Sequence, residues 1–323
     1  MIAHRGASGY RPEHTRAAYE LAITQGADAV EPDIVATKDG VLVIRHENEI
    51  SGTTDVARRP EFASHRSEKT VEGQLVTGWF TEDFTWAELS TLRCTERLAK
   101  TRPANTKFDG QYGILRLTDL IEILRAAGRP ITMVAEIKHA DYFDSIGLSL
   151  DDRFASDIAG WALPNNLIVE SFEQSVLARI QARDVPGRVV FLAEAVGSPA
   201  DQVAEFGEEA RSFADYLTDA GLARLASEVD GVSVDKSLIL EADAAGAVTG
   251  TTDLVERARS AGLEIYAWTL RAENRFLAKN FRRGKRARDF GHWQREFDLL
   301  MRTGLDGVFA DQPDLAVKAR TAL

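Results

Sequence analysis

Residues 131–138 read ITMVAEIK, a run of apolar and β-branched residues that ends in a carboxylate and an ammonium group. Such a run predicts a buried strand with polar side chains at its carboxyl end. The segment before it has apolar residues at helical spacing, namely Leu117, Leu120, Ile121 and Leu124. Gly128 follows, where a glycine ends a helix. The stretch therefore predicts one helix followed by one buried strand.

The same alternation recurs on both sides of this stretch. A first helix is predicted from Arg16 to Gly26. Further strands are predicted at residues 2–4, 29–35, 167–172, 189–192, 231–234, 264–268 and 307–309, with residues 41–45 as an extension of the second strand. Eight strand and helix units in series favour a closed parallel barrel over an open sheet. The predicted fold class is therefore α/β, a TIM-type (β/α)8 barrel.

One long tract interrupts this regularity. Residues 48–111 show little helix or strand period and carry many charges. Without them the chain comes close to the roughly 250 residues typical of such barrels. We interpret residues 48–111 as an insertion packed on a single barrel domain that spans residues 1–323. Four aromatic residues suggest that the insertion has a small core of its own: Trp79, Phe80, Phe84 and Trp86.

Composition excludes several classes of function. Among 323 residues, 39 are Lys or Arg and 50 are Asp or Glu, so the formal net charge is −11. This acidic balance argues against non-specific nucleic-acid binding, and no apolar run is long enough to insert stably into a membrane. A single cysteine, Cys94, excludes an internal disulfide and a thiolate metal cage.

The predicted strand ends carry carboxylates. Glu31 and Asp33 are two residues apart on one strand, so their side chains emerge on one face, and Glu136 lies at the end of the next strand. Three carboxylates with no thiolate nearby favour one hard divalent cation, Ca²⁺ or Mg²⁺. A solvated strand face would show the same acidic pair.

Histidines and cationic side chains also lie at the predicted strand ends. His4 and His46 each end a predicted strand and are candidates for general acid and base, although a lone histidine there is more often structural. Arg5 and Lys138 offer cations to an anionic substrate. Trp268 ends the seventh strand, either as the floor of a substrate pocket or as packing.

Other basic residues have simpler interpretations. His65, His139 and His292 are predicted to be surface groups. The segment 279–288 holds six Lys or Arg residues and could steer anions toward the barrel rim, although a solvated loop is the simpler interpretation.

Three segments together resemble the glycerophosphodiester phosphodiesterase family. They are IAHRGASGYRPEHT at the start, EPDIVATKDGVLVIRHENEI from residue 31 and EIKH from residue 136. The segments WTLRAEN and DGVFADQPD near the end are similar to the last two strand ends of that family. The long tract after His46 resembles the insertion of one branch of the family.

The resemblance implies roles for individual residues. His4 and His46 would be the acid and base pair, with Glu31, Asp33 and Glu136 as metal ligands. Arg5 and Lys138 would hold the phosphate. Glu13 would support the substrate site. At position 47 this chain has Glu where many members have Asp, which puts a role for that residue in doubt.

The sequence thus predicts a metal-dependent phosphodiesterase that cleaves small-molecule glycerophosphodiesters to sn-glycerol 3-phosphate and an alcohol. Two alternatives stay open: a phospholipase D or sphingomyelinase D type lipid phosphodiesterase on the same fold, and a non-catalytic barrel that binds phosphate or glycan. An exposed apolar rim would favour the first. The chain as given begins directly with a predicted strand, which indicates a cytoplasmic location, whereas a trimmed export signal would indicate an extracytoplasmic one.

Overall fold

Eight parallel strands close into a barrel in the computed structural model, which describes residues 1–323. The fold is therefore the predicted TIM-type barrel. The barrel strands, in chain order, are β1 (Ile2–His4), β2 (Ala29–Glu31) continued by β3 (Asp33–Ala36), β7 (Thr132–Ile137), β8 (Leu167–Ser171), β9 (Arg188–Ala193), β10 (Gly231–Asp235), β13 (Glu264–Leu270) and β14 (Gly307–Ala310). The remaining strands are β4 (Leu42–Ile44), β5 (Ser67–Val71), β6 (Gln74–Gly78), β11 (Leu240–Ala242) and β12 (Val248–Thr251).

The second barrel strand is interrupted, because Pro32 between β2 and β3 has no N–H to donate. Both halves still pair with β7, so the barrel stays closed at this point. The predicted extension at residues 41–45 is an antiparallel hairpin partner of β3, so β4 lies outside the ring of parallel strands.

Twelve helices connect or flank the strands. They are α1 (Arg16–Thr24), α2 (Trp86–Leu89), α3 (Leu117–Arg125), α4 (Ala140–Ser145), α5 (Leu150–Ile158), α6 (Gln174–Ala182), α7 (Ala200–Phe206), α8 (Phe213–Tyr216), α9 (Asp219–Leu225), α10 (Leu254–Ser260), α11 (Trp293–Met301) and α12 (Pro313–Thr321). None of them is both long and apolar enough to cross a membrane.

Two layers of buried side chains make the core. A cluster of 66 residues includes the inward faces of the helices, and a cluster of seven includes Ile2, Ala29, Val134, Ile168, Tyr266 and Phe309. Side chains two positions further along a strand lie on the same face. The residues two positions beyond these six are His4, Glu31, Glu136, Glu170, Trp268 and Asp311. The apolar layer therefore supports a polar layer at the carboxyl end of the barrel.

Residues 48–111 contain the hairpin β5–β6, the short helix α2 and several 3₁₀ turns. The expectation that this tract has a small core of its own is wrong. Phe84 belongs to the 66-residue cluster, and Trp79 and Trp86 pack against that cluster. Leu92 and Cys94 belong to the same cluster. The aromatic side chains of this tract therefore extend the main core. The assignment of the tract as an insertion within a single domain stays a prediction.

Candidate active site

The strand register brings the predicted residues side by side. His4 on β1 is opposite Glu31 on β2, and Asp33 on β3 is opposite Glu136 on β7. Glu136 is in turn opposite Glu170 on β8. These residues therefore form a continuous arc at the carboxyl ends of five strand segments.

A cavity of about 930 Å³ opens above this arc. Seven of the nine residues predicted for the site line it: His4, Arg5, Glu31, His46, Glu136, Lys138 and Trp268. The other two, Asp33 and Glu13, are buried and do not line the cavity wall.

The acidic group that could hold a cation differs from the predicted ligand set. Oxygen atoms of Glu31, Glu136 and Glu170 lie within 4.8 Å of one another. Glu170 joins this group because its strand is the direct neighbour of β7 and Glu170 is opposite Glu136. The role of Asp33 as a ligand stays a prediction. Glu170 is 2% exposed, and its Oε2 has no hydrogen-bond partner. Leaving a buried carboxylate oxygen without a donor is costly, and a bound cation would offset this cost at Glu170.

The electrostatics of this acidic group agree with that conclusion. Burial, together with the charge of Asp33, raises the pKa of Glu31 well above its usual value. Burial also raises the pKa of Glu136 to about 8, against the opposing charge of Lys138. Burial and the charge of Glu136 raise the pKa of Glu170. A divalent cation would relieve this repulsion.

Asp33 lies directly behind the acidic group. Its Oδ2 accepts a hydrogen bond of 2.8 Å from Nε2 of His14 and lies 3.4 Å from Nε of Arg5. Oδ1 of Asp33 has no hydrogen-bond partner. The negative charge of Asp33 contributes to the raised pKa of Glu136. Asp33 is therefore next to the acidic group, and it is held by His14 and Arg5.

Arg5 follows β1 in a left-handed conformation, with φ of 58°. Its backbone N–H thereby donates a hydrogen bond of 2.7 Å to Oε2 of Glu31. The turn also requires Gly6, because a Cβ there would lie 2.7 Å from the backbone of Ala18. On the other side of the acidic group, Nζ of Lys138 lies 2.8 Å from Oε1 of Glu136. Two cations thus border the acidic group on the cavity wall.

His4 has a carboxylate behind it. Its Nδ1 lies 2.7 Å from Oδ1 of Asp311, which follows β14. With a proton on Nδ1, the Nε2 atom is left as an acceptor. Burial, reinforced by the charge of Arg5, lowers the pKa of His4 to about 4, so the ring is neutral near pH 7.

His46 is arranged in the same way. Its Nδ1 lies 2.5 Å from Oε1 of Glu47, so Glu47 serves as the orienting carboxylate that the sequence left in doubt. Burial, with the charges of Arg5 and Lys138, lowers the pKa of His46 to about 3. An anionic ligand in the cavity would raise the pKa of both histidines, because opposite charge favours the protonated ring.

Glu13 acts at a distance from the cavity. Its carboxylate accepts two hydrogen bonds, of 2.7 and 2.8 Å, from Arg97 and lies 3.4 Å from Nη1 of Arg5. It therefore supports Arg5 from behind, and the structure does not place it against a substrate.

Aromatic side chains form part of the opposite wall. The rings of Trp268 and Phe172 meet edge to face at 5.9 Å, and Nε1 of Trp268 is buried without a partner. An indole N–H on a cavity wall can donate to a bound oxygen. The prediction that His139 is a surface group is wrong: it lines the cavity, and its Nδ1 lies 2.6 Å from Oε1 of Glu72 in the β5–β6 turn.

The basic segment 279–288 lies outside the cavity. Its six Lys and Arg side chains are exposed, and none has a carboxylate partner within 4 Å. The solvated loop is the interpretation that these positions favour.

Asp311 and Glu47 hold the histidines, and neither is among the nine residues predicted for the site. Glu170 and Asp311 end barrel strands, so their position, although not their partners, can be found from the sequence. Arg97 and Arg102 lie in the irregular tract, where no period identifies them. Arg102 donates to Asp311 over 2.6 Å, and Arg97 contacts both Glu13 and Glu47.

Two histidines, buried carboxylates and two cationic side chains on one cavity suit the cleavage of an anionic diester. Residues 4–315 match the model of the glycerophosphoryl diester phosphodiesterase family, and the chain belongs to this family.

Curated relatives carry the same name. A glycerophosphodiester phosphodiesterase of Arabidopsis thaliana is 30% identical over 96% of this chain and 82% of its own length. One of Treponema pallidum is 27% identical over 98% of this chain and 90% of its own length.

Solved structures share the fold. A phosphodiesterase of Oleispira antarctica, solved in complex with the product sn-glycerol-3-phosphate, matches with a TM-score of 0.65 at 20% identity, over 99% of this chain and 96% of its own. A putative glycerophosphoryl diester phosphodiesterase of Silicibacter pomeroyi matches with a TM-score of 0.67 at 19% identity, over 99% of this chain and 92% of its own.

Proposed function

We propose that the protein hydrolyses small glycerophosphodiesters to sn-glycerol 3-phosphate and an alcohol, with a divalent cation and two histidines. The observation that carries this proposal is the position of His4 and His46 on one cavity wall with the buried, donor-free carboxylate of Glu170. The product complex of the Oleispira antarctica relative supports the choice of substrate class.

The acidic group fits a hard cation. Glu31, Glu136 and Glu170 would hold it, with Asp33 beside them, and oxygen ligands without thiolates suit Ca²⁺ or Mg²⁺. When bound, the cation supplies positive charge that neutralises the diester and stabilises the charge that develops on it.

The protein's own cations complete the phosphate site. Arg5 and Lys138 border the acidic group on the cavity wall, so they would hold the non-bridging phosphate oxygens. Trp268 would contact the glycerol or alcohol part through its ring face and its free N–H.

The histidines would move the protons. We assign the nucleophile to the substrate's own glycerol hydroxyl beside the phosphate. The anionic substrate would raise the pKa of His46, so that its ring enters the reaction protonated. His4 then removes the hydroxyl proton as the new P–O bond forms, and protonated His46 donates its Nε2 proton to the departing alkoxide as the old P–O bond breaks. Water then opens the cyclic diester with the roles reversed. Intramolecular attack avoids the entropy of recruiting a second molecule. Ser171, a strand-end hydroxyl, donates to the carbonyl of Ile137 and does not face either histidine.

The test is an assay on glycerophosphocholine with coupled detection of glycerol 3-phosphate. Chelated enzyme should be inactive, and Ca²⁺ or Mg²⁺ should restore turnover. Full activity of the chelated enzyme would contradict the cation requirement, whereas release of phosphocholine would contradict the bond that is cleaved.

A second candidate substrate class has one specific observation in its favour. Val203 lines the cavity and is 48% exposed, and the same segment exposes Val196 and Phe206. An apolar rim of this kind suits a diester with an acyl chain, as in a lysophospholipid. Faster turnover of lysophosphatidylcholine than of glycerophosphocholine, lost in Phe206→Ser, would favour this class.

A further inference from the structure

The segment 96–102, which we name the arginine segment, contacts the carboxylates that hold both histidines. It lies in the irregular tract, and its two arginines, Arg97 and Arg102, are five positions apart. Each guanidinium bridges two carboxylates, and in each case one of the two is the carboxylate that contacts a histidine.

The first bridge ends at His46. Arg97 donates to Glu13 over 2.7 and 2.8 Å, and from Nη1 to Oε1 of Glu47 over 2.8 Å. The same Oε1 lies 2.5 Å from Nδ1 of His46. The planar guanidinium thus fixes the plane of the Glu47 carboxylate, and the carboxylate fixes the imidazole ring.

The second bridge ends at His4. Arg102 is buried and donates over 2.7 Å to Glu273 and over 2.6 Å to Oδ2 of Asp311. The other oxygen of Asp311, Oδ1, lies 2.7 Å from Nδ1 of His4. Arg271 shares Oδ2 of Asp311 at 2.8 Å.

The arginine segment itself is held in place. Glu96 accepts from the backbone N–H of Leu98 over 2.7 Å and from Asn105 over 2.9 Å. The N–H of Arg102 donates to the carbonyl of Leu98 over 2.7 Å. The backbone therefore presents both guanidinium groups from one local turn.

We infer that Arg97 and Arg102 are positioning residues that set the ring orientation and the Nδ1–H tautomer of His46 and His4. The inference rests on the proposed function only where it assigns proton transfer to these histidines. In its structural part it states that each carboxylate is kept ionised and fixed by an arginine, so that Nε2 of each histidine faces the cavity and is unprotonated in the enzyme without substrate. The irregular tract is then a necessary part of the active site.

The arginines differ in how safely they can be changed. The Arg97 side chain is 28% exposed. In Arg97→Met, Glu13 keeps Arg5 as a partner and Glu47 keeps His46. Arg102→Met would leave Glu273 and Asp311 buried without their shared partner. The double variant Arg102→Met/Glu273→Gln removes part of that charge, and Arg102→Lys keeps the charge but loses the planar fork. Arg93→Met is the matched control, because Arg93 lies in the same tract and contacts only backbone carbonyls.

The test is ¹⁵N NMR of histidine-labelled enzyme without substrate, together with steady-state kinetics on glycerophosphocholine. We expect Nδ1–H signals for both histidines in the wild type and in Arg93→Met. Arg97→Met should change the His46 signals alone, and the Arg102 variants should change the His4 signals alone. We also expect kcat to fall about 10- to 100-fold in these variants, with KM nearly unchanged.

Unchanged tautomers in folded Arg97→Met and Arg102→Lys enzymes would overturn the inference. A failure of the proposed function would look different: the NMR changes would be present, while the wild type would release no glycerol 3-phosphate. A rise in KM with constant kcat would also contradict positioning of the histidines, because it would indicate a loss of binding alone.

Discussion

Nδ1 of His4 lies 2.7 Å from Oδ1 of Asp311, although the two residues are 307 positions apart in the chain. The contact exists because β1 and β14 are neighbours where the barrel closes, with Ala3 paired to Ala310. The first and last strands therefore build one half of the candidate acid and base pair. The pairing of β1 with β14 that closes the barrel therefore also brings His4 and Asp311 together.

Asp311→Asn should impair this half of the site while the fold survives. An amide can donate to Nδ1 and so favour the wrong tautomer of His4, with Nε2 protonated. We expect kcat on glycerophosphocholine to fall about 10- to 100-fold or more with little change in KM. Asp314→Asn is the matched control, because Asp314 is nearby in sequence and accepts only from the hydroxyl of Tyr10. Equal activity of the two variants would contradict the role of Asp311.

The acidic group should make the metal-free enzyme less stable as pH rises. The folded-state pKa of Glu136, about 8, lies above the ordinary value of a glutamate, so the folded state binds this proton more tightly than the unfolded state does. The stabilisation is complete below about pH 4 and is lost as pH rises through about 8.

A cation replaces the proton, so added CaCl₂ should raise the Tm more at about pH 8 than at about pH 5. Thermal unfolding of chelated and calcium-loaded enzyme measures both effects. Glu136→Gln should remove the part of the pH dependence that Glu136 contributes and weaken the calcium effect, while Glu31 and Glu170 keep their own contributions. A calcium shift of equal size at both pH values, unchanged in Glu136→Gln, would show that the cation binds elsewhere.

The neighbouring hydroxyl of the substrate should be required. A 2-deoxy glycerophosphodiester keeps the phosphate and the leaving group but has no internal nucleophile. We expect its turnover to be far slower than that of glycerophosphocholine, and ³¹P NMR should show a transient cyclic diester with the natural substrate. Efficient hydrolysis of the 2-deoxy analogue would indicate direct attack by water.

Much of the barrel could be predicted from the sequence, because parallel strands are buried on both faces and show as apolar runs with polar ends. The eight strands follow from that pattern. So does the position of His4 on the same strand face as Ile2, and of Glu136 on the same face as Val134. The antiparallel pairing of β4 with β3 could not be predicted, since a short apolar run does not indicate whether a strand pairs parallel or antiparallel.

Sequence spacing predicts the strand-end residues that line the cavity, but it does not predict the residues behind them. Side chains on strands have positions fixed by a period of two, whereas Arg97 and Arg102 lie in an irregular tract whose path depends on tertiary contacts. Glu170 was not predicted as a member of the acidic group for the same reason. Spacing along one strand placed Asp33, but only the register between β7 and β8 places Glu170.

The histidine assignment is tested most directly by comparing leaving groups in His4→Ala and His46→Ala. An acid is needed to protonate a poor leaving group such as choline and is hardly needed for 4-nitrophenolate. We expect both variants to bind calcium like the wild type and to lose about 10²- to 10⁴-fold in turnover of glycerophosphocholine. We also expect His46→Ala alone to keep most of its activity on the 4-nitrophenyl diester of glycerol 3-phosphate. Near-native turnover of glycerophosphocholine by either folded, calcium-bound variant, or equal losses of His46→Ala on both substrates, would contradict the assignment of these histidines.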